Sequence, residues 1–566
     1  MAQAEGGNAR QKNQNMPNHL YKMQSPLLKV SPLDAWTLED AYAGTFICGG
    51  TGSGKSSGSG RTIAHAFLRA GFGGLVLCAK PDEANTWRRY CKETGREKSL
   101  YVIDGTGNKR FNFLEYELAR VDGGGNSTNF ALEALLKIYE AMQIADGVKG
   151  DESFWRNSVR LLLSHSIDML YLAYGRLRFP ELMAFIRQMP PTSKEYHNED
   201  WQAASFHFKT LMQAVSNVHE NVAKGKTFQT IRQYYQDSFY NLDNRTKSNI
   251  LATLEAMVMD FQKGDLATIF CSDTNIVPEM SHHGAVIVLD FPLKNWQRGG
   301  QLAQHIFKFA WQKAIERRRV EVKTRPCFLW ADEYQLFASS YDAEFQSTAR
   351  SSRACSVFMS QSIPALREAV KSAVPKETVD ALLNNFQTKI MHTCTDYTTQ
   401  VWAAEIIGKG LQWEWSDNWG GSEGNNWSAV SSSNQGTSTG TSEQIGHGLS
   451  HNRNKSWGFH WLWGKGFTPE SSGRGGGSNS SHSGGSSTGT SAGTGMSKSR
   501  GASTGKSWGG SQRQKIDFFV QPSFFSSGLR TGGERHGFEV DGVMMQGGRV
   551  WRCNGSSFVK CTFPQR

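Results

Sequence analysis

The stretch Thr45–Arg61, with the sequence TFICGGTGSGKSSGSGR, decides the fold of this 566-residue chain. It begins as a short apolar strand, Thr45 to Cys48, and continues through a glycine-rich turn into a helix. The turn fits the pattern G-x-x-x-x-G-K-[ST]. Glycines let successive backbone N–H groups converge on an anion, next to the positive end of the following helix. The stretch therefore predicts a phosphate-binding loop.

The loop carries groups for both a phosphate chain and a metal ion. Lys55 can place its charge on the β- and γ-phosphates, and the Ser56 hydroxyl can coordinate Mg²⁺. A flexible glycine–serine hinge is the alternative, but strand, turn, lysine and hydroxyl follow one another in the order that the motif requires. We expect a nucleoside triphosphate, with ATP and Mg²⁺ as cofactors. The predicted cofactor-binding residues are Gly49, Gly50, Thr51, Gly52, Ser53, Gly54, Lys55, Ser56 and Ser57.

An acidic pair follows a later apolar run, Phe328 to Ala331. Asp332 can hold the water shell of Mg²⁺, and Glu333 can orient and deprotonate an attacking water. A pair of surface acids is the alternative, yet the apolar run before it indicates the end of a buried strand. We predict Glu333 and Lys55 as catalytic residues, and Ser56 and Asp332 as metal ligands.

The next predicted strand, Ala354 to Gln361, ends in an amide. Gln361 can hydrogen-bond both the γ-phosphate and the water and so sense hydrolysis, although an ordinary polar strand end is the alternative. Arg350 and Arg353 precede the strand. A guanidinium supplied across a subunit boundary stabilises charge that develops in the transition state. A salt bridge within the subunit is the alternative for either arginine.

Apolar patterns divide the chain into α/β parts and a helical part. Strand, helix and strand follow one another around the loop and again after residue 266, which predicts a mainly parallel sheet. The region between them has helical spacing, as in Ile250, Leu254, Met257, Val258 and Phe261. The predicted segments are 1–22 (disordered), 23–125 and 266–412 (the α/β domain), 126–265 (an all-helical insertion), 413–512 (a Gly/Ser/Trp-rich segment) and 513–566 (a closing segment).

The Gly/Ser/Trp-rich segment has two interpretations. Its composition is typical of a flexible linker, whereas stretches such as GTSTGTS alternate with period two and favour a long β-hairpin arm. Its tryptophans can stack on nucleic-acid bases or on a partner protein, and the sequence does not decide between them. They are Trp413, Trp415, Trp419, Trp427, Trp457, Trp461, Trp463 and Trp508.

Composition limits the partners and the compartment. A net charge of +11 favours polyanions, nucleic acid first and an anionic membrane surface second. The 9 cysteines include no C-x-x-C pair, which is typical of reduced thiols rather than of a disulfide frame or a zinc site. We find neither a signal peptide nor an apolar run of about 18 residues. We therefore expect a cytoplasmic protein that reaches a membrane only through a partner protein.

Longer segments resemble a known family. GGTGSGKS, WADEYQLF and TARSSRACSVFMSQS resemble the conjugative coupling-protein ATPases, the TraG/TraD branch of the HerA/FtsK superfamily. The segments PSFFSSGLRTGG and GRVWRCNGSSFVKCTFPQ resemble the closing part of that family. The Gly/Ser/Trp-rich segment lies outside the resemblance. Most members begin with transmembrane helices, and we expect none in this chain.

The resemblance implies both a fold and a function. The fold would be α/β, a RecA-like P-loop NTPase with an inserted all-α domain, and six copies would form a ring. Its function would be to recruit a relaxase–DNA complex to a type IV secretion channel, and to drive its transfer with ATP. The implied partners are single-stranded or relaxase-bound DNA, the relaxase and the secretion ATPases. Gln361 would be the sensor and Arg350 the arginine that acts in trans.

Two further functions remain open at this point. The first keeps the motor and changes its task, to a cytosolic DNA translocase for packaging, segregation or repair. The second is a nucleotide-switched recruitment platform for secreted proteins, without DNA pumping. Glu333 is evidence against a pure switch, because a switch does not need a base beside the Mg²⁺ site.

Overall fold

The computed structural model describes residues 21–116, 118, 128–136, 153–218, 222–339, 341–370, 375–431, 438–453, 476–489 and 496–566. These residues form two compact units. One contains the described chain up to Ala403 together with Pro522–Arg566, and the other is Ala404–Gln521. Most of the predicted N-terminal segment 1–22 lies outside the described residues, as do 126–127, 137–152 and 219–221 of the predicted insertion, and Trp457, Trp461 and Trp463.

The strands of the first unit form two sheets. A small one pairs β1 with β2, and a nine-stranded one has the order β15-β14-β9-β3-β8-β7-β4-β6-β5. The strands of the whole chain are β1 (Pro26–Lys29), β2 (Ala35–Thr37), β3 (Thr45–Cys48), β4 (Gly73–Leu77), β5 (Leu100–Ile103), β6 (Val286–Leu289), β7 (Cys327–Ala331), β8 (Ala354–Ser360), β9 (Thr388–Met391), β10 (Lys409–Ser431), β11 (Ser438–Arg453), β12 (Gly476–Gly489), β13 (Met496–Phe518), β14 (Glu539–Gln546) and β15 (Phe558–Pro564).

The large sheet is parallel except at one edge. Strands β3 to β9 run parallel to one another, whereas β14 pairs antiparallel with β9 and β15 antiparallel with β14. Every residue of β3, β4, β6, β7 and β8 is buried. Burial on both faces explains why these strands are unbroken apolar runs in the sequence. The predicted α/β class with a mainly parallel sheet is confirmed.

Helices cover this sheet and also form a block between β5 and β6. Helices α4 to α11 follow one another there, with no strand among the residues described. The helices are α1 (Leu38–Tyr42), α2 (Arg61–Arg69), α3 (Glu83–Glu93), α4 (128–136), α5 (Ser153–Tyr174), α6 (Phe179–Arg187), α7 (Glu199–Ala204), α8 (Phe206–Val218), α9 (Val222–Gln233), α10 (Asn244–Val258), α11 (Gly264–Cys271), α12 (Leu293–Arg317), α13 (Tyr341–Ala349), α14 (Ile363–Ala369), α15 (Pro375–Asn384), α16 (Tyr397–Ile407) and α17 (Phe524–Ser527).

The helical block has its own apolar interior. The residues with helical spacing on α10, together with Phe261, are all buried, as their spacing predicts. None of the helices described has the length and hydrophobicity that a membrane crossing requires.

Aromatic packing joins the helices that follow the glycine loop to the sheet. The ring of Phe328 on β7 stacks on Phe67 of α2, with a centroid distance of 5.7 Å, and on Trp87 of α3, at 5.5 Å. Such pairs contribute about 0.5–1.5 kcal/mol beyond the area that they bury. This packing fixes α2 against the strand that carries the acidic pair.

The second unit is a four-stranded antiparallel sheet with the order β12-β11-β10-β13. Strands β10 and β13 pair without a break along the whole of β10. The residue of β13 that pairs with Trp419 of β10 is Trp508. Whether the tryptophans of this segment bind bases or a protein stays a prediction. The β10 tryptophans are Trp413, Trp415, Trp419 and Trp427.

Candidate active site

The predicted site residues follow strands that are neighbours in the parallel sheet. The glycine loop follows β3, Gln361 follows β8, and Asp332 and Glu333 follow β7. In a parallel sheet the carboxyl ends of all strands lie on the same side of the sheet, and α/β proteins bind their ligands at that side. The topology therefore brings these residues together at the carboxyl ends of the strands.

Two positions of the loop strongly favour glycine. Gly54 has φ +86, a left-handed conformation that side chains disfavour. A Cβ on Gly49 would lie 2.7 Å from both Ser53 Oγ and His392 Cβ. The chain then forms a π-helical turn, Ser56–Gly60, that leads directly into α2. Tight packing therefore fixes the curvature that the motif predicts.

Lys55 lies inside the loop rather than in solvent. It is 6% exposed, and its Nζ donates to the carbonyl oxygens of Gly49 at 2.7 Å and Gly50 at 3.2 Å. Burial lowers the pKa of Lys55 below its usual value, although the nearby carboxylates of Asp332 and Glu333 oppose this shift. The loop thus holds a cationic side chain against its own backbone.

The two predicted metal ligands are in direct contact. The Ser56 hydroxyl donates to Asp332 Oδ2 at 2.6 Å, although the two residues are 276 positions apart in the chain. A hydroxyl beside a carboxylate is a hard oxygen donor set of the kind that Mg²⁺ prefers. Ser53 Oγ is buried in the same loop, without a hydrogen-bond partner among the described residues. The residues present therefore fit a phosphate chain with its magnesium ion.

Glu333 is held by three donors. Its Oε1 accepts from Lys80 Nζ at 2.6 Å, and its Oε2 accepts from Gln335 Nε2 at 2.7 Å and from Gln361 Nε2 at 2.9 Å. Burial raises the pKa of Glu333, but the three hydrogen bonds outweigh it and bring the pKa below its usual value. The backbone of Glu333 is left-handed, with φ +56, which is a strained conformation for a side-chain-bearing residue. The fold therefore fixes an ionised carboxylate in one orientation.

Gln361 connects the acidic pair with the tip of the loop. Its amide nitrogen donates to Glu333, and its Oε1 accepts from Thr51 Oγ1 at 3.4 Å. This amide thus lies between the phosphate loop and the predicted base, where a γ-phosphate sensor has to be. The role itself stays a prediction.

Lys80 and Gln335 are site residues that the sequence analysis did not find. Lys80 Nζ lies 2.6 Å from Glu333 Oε1 and 3.6 Å from Asp332 Oδ2. Burial alone would lower the pKa of Lys80, but the two carboxylates raise it above its usual value. The signal was the position of Lys80 shortly after β4, which is the neighbour of β7 in the sheet.

A third carboxyl group, that of Glu83, lies close to the acidic pair. Its Oε2 accepts from the backbone N–H of Ala79 at 2.6 Å. Burial and, secondly, the charge of Asp332 raise the pKa of Glu83 to about 8. Near neutral pH this group is therefore mostly protonated and adds little negative charge beside Asp332.

Arg350 does not reach the site of its own chain. It lies between α13 and the start of β8, whereas Gln361 follows the other end of β8. Its guanidinium donates to Glu39 Oε1 at 2.6 Å and is 60% exposed. Arg353 donates to the backbone oxygen of Tyr21 at 3.2 Å. Both arginines thus lie on the opposite side of the sheet, next to the start of β8.

Residues that follow β9, together with β14, border the other side of the loop. The N–H of Gly50 donates to the carbonyl of Thr393 at 2.8 Å. His392 Nδ1 lies 2.8 Å from the carbonyl oxygen of Asp541, and its Nε2 lies 2.7 Å from Ser59 Oγ. Burial lowers the pKa of His392 to about 4, so the ring is neutral near pH 7. Since a carbonyl can only accept, Nδ1 carries the proton and Nε2 accepts from the hydroxyl of Ser59.

The parallel sheet, together with the glycine loop and the acidic pair at the carboxyl ends of its strands, defines a RecA-like P-loop NTPase. The family model for conjugative DNA transfer by the type IV secretory system matches residues 5–408. The chain belongs to this family. The predicted resemblance is thereby confirmed, together with the function class of conjugative DNA transfer in type IV secretion.

One solved structure of low sequence identity shares the fold, and two further structures match with lower TM-scores. An unbound form of the bacterial conjugative coupling protein TrwB is 14% identical, with a TM-score of 0.51, and the match covers 96% of this chain and 90% of that one. TrwB with ADP and Mg²⁺ is 16% identical, with a TM-score of 0.46, over 69% of this chain and 80% of that one. VirB4 of Thermoanaerobacter pseudethanolicus is 15% identical, with a TM-score of 0.37, over 64% and 79%. No curated protein sequence matches significantly.

Proposed function

We propose that this chain is an ATP-hydrolysing coupling protein, which recruits and translocates relaxase-bound DNA to a type IV secretion machinery. The observation that carries the proposal is the contact of Ser56 with Asp332 at 2.6 Å. This contact joins the phosphate loop to the acidic pair in a chain of the conjugative DNA-transfer family.

Nucleotide binding relies on the loop and on the two oxygen ligands. Backbone N–H groups of the loop and the charge of Lys55 would hold the phosphates, and Ser56 and Asp332 would hold Mg²⁺. When bound, the ion neutralises charge on the β- and γ-phosphates. Lys55 is already inside the loop, so little ordering of its side chain is needed on binding.

Hydrolysis relies on the residues around Glu333. Its carboxylate orients a water molecule and takes the proton from it, a contribution of about 10²–10⁴-fold to the rate. Lys80, Gln335 and Gln361 fix the direction of this carboxylate. Gln361 also contacts Thr51 of the loop, so it is placed to respond to the γ-phosphate.

A neighbouring subunit completes the site in this proposal. Because Arg350 lies at the start of β8, away from the site of its own chain, and is 60% exposed, it can act only on a nucleotide bound to another copy of the chain. We expect Arg350→Ala and Lys55→Ala variants to be nearly inactive alone. Mixing them should restore part of the ATP turnover, because some interfaces then combine an intact Lys55 with an intact Arg350. No recovery in mixed rings would contradict action in trans.

The function is tested by ATP turnover with and without DNA. We expect single-stranded or double-stranded DNA to stimulate hydrolysis by the purified full-length chain, with Glu333→Gln as the inactive control. ATP turnover that does not change when DNA is added would favour a recruitment platform. A pull-down from conjugating donor cells should recover relaxase and secretion ATPases. Their absence, with DNA stimulation intact, would favour a translocase for packaging, segregation or repair.

A further inference from the structure

Helix α12 holds the backbone that follows the acidic pair. This backbone forms a 3₁₀ turn, Tyr334–Leu336. Gln301 Nε2 donates to the carbonyl of Leu336 at 2.6 Å. Lys308 Nζ donates to the next carbonyl, that of Phe337, also at 2.6 Å. Gln301 and Lys308 are about two turns apart on α12 and therefore lie on one face of the helix, so that this face fixes the end of the turn.

Lys308 also forms a buried ion pair with Asp342 of α13. Its Nζ lies 2.8 Å from Oδ2 and 2.9 Å from Oδ1 of the carboxylate, and both residues are almost fully buried. The carboxylate accepts further hydrogen bonds from the hydroxyl of Tyr334 at 2.8 Å, from Gln312 Nε2 at 2.9 Å and from the N–H of Ser339 at 2.9 Å. Burial raises the pKa of Asp342, but Lys308 and the side-chain donors bring it below its usual value, so the carboxylate is ionised. The ion pair thus holds the turn at its first residue as well as at its end.

The same turn carries Gln335, which contacts the predicted base directly. Gln335 Nε2 donates to Glu333 Oε2 at 2.7 Å, and Gln335 Oε1 accepts from Ser360 Oγ at 3.0 Å. The ring of Tyr334 stacks on Phe358 of β8, with the ring centroids 4.0 Å apart. A displacement of the turn would therefore move Gln335 and the backbone of Glu333 together.

The backbone of Glu333 requires support of this kind. Its φ of +56 is a strained conformation, which a residue with a side chain keeps only where the surrounding structure determines it. The stability of the fold does not by itself explain the ion pair of Lys308 and Asp342, because apolar residues of similar volume are often as stable as a buried ion pair. The contacts of the pair with the turn after Glu333 give it a more specific role.

We propose that Gln301, Lys308 and Asp342 are positioning residues, which hold the turn after Glu333 and so keep its carboxylate in the orientation that hydrolysis requires. They act through Glu333 and not on the nucleotide. The inference rests on the proposed function, because it assumes that Glu333 is the base. It adds that the rate of ATP hydrolysis depends on side chains of α12 and α13.

A purely structural role makes a different prediction. If these residues only stabilise the fold, their loss lowers the free energy of unfolding, and the folded molecules still hydrolyse ATP at the wild-type rate. If they position Glu333, kcat falls while ATP affinity stays, because the phosphate loop and Lys55 are unchanged. Since the effect passes through Glu333, it should also disappear once that carboxylate is absent.

The test measures kcat for ATP hydrolysis and the equilibrium affinity for ATP with Mg²⁺, on the folded full-length chain. Gln301→Met and Tyr334→Phe each remove one hydrogen bond and no buried charge. We expect each to lower kcat about 3- to 10-fold and to leave ATP affinity within about 2-fold. Lys308→Met removes the centre of the network and should lower kcat about 10²-fold, the effect of a displacement of about 1 Å. Lys313→Met is the matched control on α12: Lys313 Nζ donates to the hydroxyl of Tyr341 and not to the turn, so kcat should be unchanged.

A double-mutant cycle with Glu333→Gln shows whether the effect passes through the base. In the Glu333→Gln background, Gln301→Met and Tyr334→Phe should leave the residual turnover unchanged. A further drop there, a wild-type kcat for the single variants, or a loss of ATP affinity as large as the fall in kcat would each overturn the inference.

The same measurements separate this failure from that of the proposed function. Near-normal turnover of Glu333→Gln would contradict the proposed function, and the inference with it. An inactive Glu333→Gln variant, together with wild-type kcat for Gln301→Met and Tyr334→Phe, would support the proposed function and overturn only the inference.

Discussion

The two sides of the phosphate loop are built from different interactions. On the side of β8, β7 and β4, charged and amide side chains bond to one another, as in the contact of Lys80 with Glu333 at 2.6 Å. On the side of β9 and β14, the contacts are apolar packing by Val540 and hydrogen bonds of a neutral histidine, His392. The first arrangement fixes charges for chemistry, whereas the second fixes the shape of the loop. Substitutions on the two sides should therefore affect different quantities.

The largest effect is expected on the charged side. Glu333→Gln keeps the size of the side chain but removes the base, so ATP turnover should fall by about 10²–10⁴-fold, with ATP affinity nearly unchanged. Lys55→Ala should lower both turnover and affinity, because it removes the charge that holds the phosphates. Steady-state hydrolysis and equilibrium ATP binding provide the two measurements. Near-normal turnover in either variant would contradict the assignment of the site.

On the packed side, the expected effect is on stability. Gly54→Ala places a Cβ at φ +86 and 2.5 Å from Val540, which should lower the free energy of unfolding by about 2–4 kcal/mol through backbone strain and overpacking. Gly52→Ala is the matched control in the same loop. Its φ is +74, but nothing lies within 4 Å of the new Cβ, so only the strain of about 1–2 kcal/mol applies.

A double-mutant cycle sharpens this prediction. In a Val540→Ala background the steric part of the Gly54→Ala effect should disappear, so the two substitutions should couple by about 1 kcal/mol or more. The Gly52→Ala effect should be the same in both backgrounds. Denaturant unfolding measures all of these free energies. Additive effects of Gly54→Ala and Val540→Ala would show that β14 does not press on the loop.

The last expected effect depends on pH. Because the pKa of His392 is about 4 in the fold and about 6.5 in an unfolded chain, the unfolded state binds the extra proton as the pH falls. His392 should therefore reduce the free energy of unfolding by about 2 kcal/mol between pH 7.5 and pH 5. Urea unfolding at both pH values, for the wild type and His392→Gln, isolates this contribution. Identical pH dependence of the two proteins would mean that the ring is not buried neutral beside Ser59.

The sequence was most informative where structure depends on local pattern. Apolar runs identified β3 and β7, because strands covered on both faces need them. The glycine loop was recognisable since its backbone geometry demands particular residues at fixed spacing. The acidic pair was found from the strand before it. These elements were sufficient for the fold class and for the predicted meeting of loop and acids.

The order of the strands in the sheet could not be predicted from the sequence. Lys80 was missed because only the adjacency of β4 and β7 brings it to Glu333. Val540 and Gln565 contact a loop about 500 positions earlier in the chain, and no local pattern indicates such a contact. The alternation in the Gly/Ser/Trp-rich segment was visible, but the pairing that places Trp508 opposite Trp419 required the structure.

The central claim is that the lysine loop and the aspartate–glutamate pair act on one magnesium-bound triphosphate. The most direct test is an experimental structure of the Glu333→Gln variant with ATP and Mg²⁺. We predict a metal ion bound to Ser56 and close to Asp332, with the γ-phosphate facing Gln361. A triphosphate whose γ-phosphate points away from Asp332 and Gln361, or one bound outside the loop, would contradict the account.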